Sequence, residues 1–143
     1  MIRIIKLGEV IYENIEPVVQ EVVDFDEEGN PTQFQEIWVV PNDVTELSKA
    51  MADTLVWLAG QRLKGILNKY SYYSLADVQF YANQNDEEAQ AILSWYQAYD
   101  DAIWNWIDNE VSNITDLDNL LNLDMKAIEQ QIFDQAIQIK PLP

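Results

Sequence analysis

A chain of 143 residues, 48% hydrophobic and 11% aromatic, has enough apolar area to offset the entropy of ordering, so we expect a folded protein of about one domain's size. Its 25 Asp and Glu against 8 Lys and Arg give a formal charge of -17, which repels phosphate backbones and anionic membranes and argues against nucleic-acid binding. Cysteine and histidine are both absent, which excludes disulfides, thiolate and histidine metal sites, and nucleophilic catalysis that depends on His or Cys.

The opening MIRIIKLGEV is short and soon followed by acid, unlike a signal peptide, and no apolar run approaches the roughly twenty residues of a membrane span. We therefore expect synthesis and folding in a cytoplasm. From Ile2 to Val40 the composition is rich in Ile, Val, Tyr and Phe, and apolar positions tend to alternate, which predicts strands. Ile2 to Leu7 and Glu9 to Glu13 are short strands around Gly8. Val18 to Phe25 and Gln33 to Val40 form a hairpin whose turn, Asp26 to Pro31, contains Gly29 for a positive φ and Pro31 to stop the ladder. Phe34, Trp38 and Val40 share one face of the second arm, while Ile37 and Val39 share the other. Both faces are partly apolar, so the ribbon is expected to be covered on both sides.

Pro41 closes the strand region. Asp43 followed by Glu46 has the spacing of a capping box and starts a long helix to Lys69, with its stripe on Val44, Leu47, Met51, Leu55, Leu58 and Ile66 and with Arg62 among the cations near its end. Ser74 with Asp77 repeats the signal for a short helix to Tyr81 or Ala82, which Asn83, Gln84 and Asn85 break. Asp86, Glu87 and Glu88 open the next helix, where Ile92, Trp95 or Tyr96, Tyr99, Ile103 and Trp106 or Ile107 recur at helical spacing. A connection from Asn113 to Asn122 contains one capped turn, Thr115 to Asp118. A last helix from Asp124 to Ile137 rests on Met125, Ile128, Ile132 and Ala136, before an extended Pro-Leu-Pro tail. The expected fold class is α+β: an N-terminal β-rich segment over residues 1–41, then a bundle of about four helices over 42–143, as two units or as one continuous domain.

Carboxylates are the only catalytic material. Asp100 and Asp101 point about 100° apart on a helix, do not converge on one substrate, and read as solvated surface charge; Glu27 and Glu28 read the same way. Asp24, Asp26 and Glu28 alternate like a calcium loop, but Gly29 comes early and Gln35 stands where a closing Glu is required, so hairpin-turn acidity explains them better. No enzyme activity, cofactor or metal is expected. Trp38 and Trp57 read as core, as do Trp95, Tyr99, Ile103 and Trp106 taken as one face. Trp104 sits two positions from Trp106, so the two cannot face one core; Trp104, with Tyr72, Tyr73 and Tyr96, is the candidate partner interface.

Tyr72 to Ala82 (YYSLADVQFYA), Glu88 to Ala91 and Tyr99 to Trp104 (YDDAIW) resemble a module of small bacteriophage tail and tail-fibre-associated proteins, in which a Tyr-x-Ser opening and a Ser-Tyr-Ala-like close precede an acidic residue, a helix and a Trp-Arg-Asp-Ala-Val-Trp-like segment. Here Tyr99 and Asp100 stand where the pattern has Trp and Arg. The resemblance spans residues 72–104 and implies a non-catalytic structural protein of the virion tail, or alternatively a tail-fibre assembly chaperone acting in the host cytoplasm. The implied partner is a tail-fibre or baseplate subunit, with homo-oligomers as a further arrangement. An acidic DNA-mimic inhibitor of a host DNA-binding enzyme is the alternative from charge alone, though the acids are scattered rather than arrayed.

Overall fold

The computed structural model describes residues 1–143 and has an α+β fold. Strands β1 (Ile2–Leu7) and β2 (Val10–Ile15) form one antiparallel hairpin, and β3 (Val18–Phe25) and β4 (Pro31–Trp38) form a second. Helices α1 (Val44–Lys69), α2 (Leu75–Asn83), α3 (Glu87–Asn109), the short α4 (Leu117–Leu121) and α5 (Met125–Ile139) follow. No helix is long and apolar enough to cross a membrane.

The first hairpin belongs to the helical core. A two-residue turn with Gly8 at φ +61 joins its strands. Ile2, Ile4 and Ile5 are fully buried because α1 and α5 both pack against β1. A backbone donor of β1 left outside the ladder is also satisfied: Lys6 N–H donates to Thr54 Oγ1 at 2.8 Å, and the Thr54 hydroxyl donates to the Ala50 carbonyl at 2.7 Å. Lys126 of α5 reaches Glu13 on β2 at 2.8 Å, and Arg3 pairs with Asp124. These surface pairs orient the hairpin more than they stabilise it.

Side-chain oxygens start each helix. Asp43 accepts from the N–H groups of Thr45 and Glu46, Ser74 from Asp77, Asp86 from Ala89, and Asp124 from Ala127. The cap before α4 is Asp116, which accepts from Asp118 N–H; it stands one residue after the Thr115 expected from sequence. Two matching Schellman turns end α1 and α2. Ser71 (φ +64) and Asn85 (φ +65) take the left-handed position, and the following N–H groups return to Leu67 and Tyr81. Asn83 is therefore the last residue of α2 and not part of its break. The α3 seam runs Ile92, Trp95, Tyr99, Ile103 and Ile107, with Trp106 only half-buried on its flank, which corrects the expectation that Trp106 shares that core face. Trp38 and Trp57 are likewise half-buried against the core.

The second hairpin departs from expectation. Beyond its root it is an arm that nothing else in the chain covers on either face. Trp38 and Val40 anchor its root, and Val39 N–H donates to the Pro17 carbonyl, but β4 is exposed from Pro31 to Glu36. Register shifts near Val23 and Thr32 interrupt its outer half, and Pro31 pairs with Phe25 inside the ladder. The accessible surface of 8955 Å² exceeds the roughly 7,600 Å² of a compact chain of this mass, in keeping with a projecting ribbon.

Candidate interaction surfaces

On α3, Tyr96, Asp100 and Trp104 follow one another at four-residue spacing and form a single ridge. Across from them α1 presents Val56, Ala59, Gly60 and Leu63. Gly60 has no side chain to fill the space between the two ridges, and a groove of about 170 Å³ lies there with Tyr99 and Ile103 in its wall. Trp104 is 48% exposed there.

Asp100 is not the fully solvated charge that its periodicity suggests. It is half-buried in this groove, whereas Asp101 points to solvent. Burial, then the Asp101 charge, raises the Asp100 carboxyl, and the neighbouring Trp104 indole opposes this. Burial, then the Asp100 charge, raises the Tyr96 hydroxyl.

Tyr72 and Tyr73 lie elsewhere. Glu88, to which the Tyr72 hydroxyl donates at 3.2 Å, is sixteen residues before Trp104, about 24 Å along the helix. Tyr72 also meets Tyr81 edge to face, with ring centroids 6.1 Å apart, so it ties the end of α1 to α2 and α3. Tyr73 is 99% exposed. The four candidate interface residues thus divide into the pair Tyr96 and Trp104 in the groove and the pair Tyr72 and Tyr73 at a helix corner.

The arm presents Val19, Val23, Phe25 and Phe34, all exposed, and its root joins Tyr12, Ile15 and Val39 in a shallow apolar hollow. Between Lys6 and Lys49 every charged residue is acidic. At the tip, Asp26 Oδ1 accepts from the N–H groups of Glu28 and Asn30, and these backbone bonds, that of Asn30 foremost, hold its carboxyl below the usual range. The Asp26 oxygen is thereby committed to the turn.

Inside the body lies a polar network that sequence reasoning missed. Glu129 of α5 is buried and receives Arg62 in two hydrogen bonds, at 3.1 and 2.8 Å, together with the Tyr99 hydroxyl at 2.7 Å. Arg62 also stacks over Phe133, 4.0 Å from the ring centroid, and donates to Gln130. Burial pulls the guanidinium down, but its bonds to Glu129 outweigh this and leave it raised. Beside the network Trp95 stacks on Tyr99 with ring centroids 5.2 Å apart, and its buried Nε1 has no partner. The network has one anion fully engaged by protein donors, which is the arrangement of a structural clasp.

No known protein family, curated protein or solved structure matches this chain. The reading of function therefore rests on these surfaces and on the resemblance in residues 72–104.

Proposed function

We propose that this is a non-catalytic bacteriophage tail or tail-fibre-associated structural protein whose β3–β4 arm docks onto a protein partner. The observation that carries the reading is the uncovered arm. Two-stranded ribbons are marginal alone, and exposed valines and phenylalanines on both faces are a liability unless a partner buries them. Both strands are also free edges, open to pairing with a partner's sheet. The resemblance supplies the setting, a tail-fibre or baseplate subunit.

Mass spectrometry of purified particles, beside a pull-down from infected cells, tests this. A structural role predicts stoichiometric copies in the particle. Recovery only from lysate, bound to a fibre subunit, identifies an assembly chaperone instead. Salt-sensitive binding to a DNA-processing enzyme, competed by duplex DNA, identifies a DNA mimic.

A further inference from the structure

We propose that the groove between α1 and α3 receives an arginine side chain from a different protein. At about 170 Å³ it is smaller than the roughly 300–1,000 Å³ of small-molecule sites and suits one inserted side chain. Asp100 is the only charged residue lining it. That carboxylate takes part in none of the chain's four ion pairs, and the side of the groove made by α1 is apolar throughout, so no internal cation competes for it.

Tyr96 and Trp104 flank Asp100 on the same ridge, so an entering cation meets two aromatic rings as well as the carboxylate. A guanidinium suits this combination better than an ammonium: it is planar, stacks on rings, is weakly hydrated and donates in a fixed fork. A carboxyl raised by burial and by Asp101 is in keeping with an anion that lacks its counter-charge. A second copy of the chain is a poor donor. Its only arginines are Arg3 and Arg62, already paired with Asp124 and Glu129. The inference uses neither the arm nor the particle setting, so it stands or falls apart from them.

The test titrates N-acetyl-arginine methylamide into the full chain and follows the Trp104 indole N–H by NMR, with the citrulline and lysine counterparts as controls. A saturable shift at Trp104 is expected, about tenfold tighter for arginine than for citrulline, as a carboxylate contact and a cation–π contact together would give. Asp100→Asn should abolish that preference. So should Gly60→Leu, which fills the groove at a position where an added Cβ meets nothing within 4 Å. Circular dichroism confirms that both variants fold. Equal binding of arginine and citrulline, shifts spread over the acidic surface without Trp104, or an arginine preference that survives both substitutions would overturn the proposal. Lysine binding as tightly as arginine would overturn the choice of side chain.

Discussion

The Tyr99 hydroxyl donates to the Glu129 carboxylate at 2.7 Å, joining the buried seam of α3 to a charge that α5 carries into the same core. Arg62 of α1 completes the contact, so three helices meet at one anion. Removing one partner leaves the others buried without compensation. Arg62→Met should therefore destabilise the protein by about 3 kcal/mol, the low end for a buried pair because the Arg62 side chain is still 27% exposed. Tyr99→Phe should cost about 2 kcal/mol, as expected for a hydrogen bond to a charged group. Combining Arg62→Met and Tyr99→Phe with Glu129→Leu, so that no member of the network is left unpaired, should recover most of the loss. Urea denaturation with an unchanged m-value checks all three.

Tyr72 gives a pH prediction. Burial, then its bond to Glu88, pushes its hydroxyl up to about 12 from an ordinary 10.0. The folded state thus holds this proton more tightly than the unfolded chain. The resulting stability is fully present below pH 10 and disappears as pH rises through about 12. Glu88→Gln should shrink this alkaline loss, measured as melting temperature against pH. The same loss in the variant and the parent would show that Tyr72 is not its source.

The two tryptophans nine residues apart on α3 should behave oppositely. Trp95 is fully buried against Tyr99 and Phe133, and Trp95→Ala should cost about 3–5 kcal/mol. Trp104→Ala should cost under about 1 kcal/mol, as an exposed substitution does, and should weaken partner association more than it lowers the melting temperature. A large loss of thermal stability with association unchanged would mark Trp104 as core.

Much of this architecture is legible in sequence because it is local. Asp43 and Ser74 cap their helices as their spacing to Glu46 and Asp77 predicts, α3 and α5 begin directly after the expected starts at Asp86 and Asp124, and the α3 periodicity marks Ile92, Tyr99 and Ile103 as core. Pairing across long sequence separations was less accessible, yet it left a signal. Arg62 lies four residues from Leu58 and from Ile66, and Glu129 four from Met125, so each places a charge inside an apolar stripe, with opposite signs. Such an interruption is the mark of a buried pair. The groove depends on Gly60 and Asp100 lining the same space from two helices, a juxtaposition that neither helix's own pattern reports. The arm misled for a different reason. Alternation on both faces says that a ribbon needs covering but not which chain covers it.

Because nothing in the chain packs on the arm beyond its root, Phe25→Ser combined with Phe34→Ser should change stability by no more than about 0.5 kcal/mol per site. The same double variant should lose partner binding. Separate measurements of melting temperature and of incorporation into particles check the two halves of this expectation.

The most direct test of the account is site-specific photocross-linking from Phe34, which is 57% exposed on the arm, in assembled particles, with Asp134 on α5 as the control position. The account predicts a discrete cross-link from Phe34 to one tail or tail-fibre subunit and none of comparable yield from Asp134. Equal cross-linking from both positions, or cross-links from Phe34 only to other copies of this chain, would contradict it.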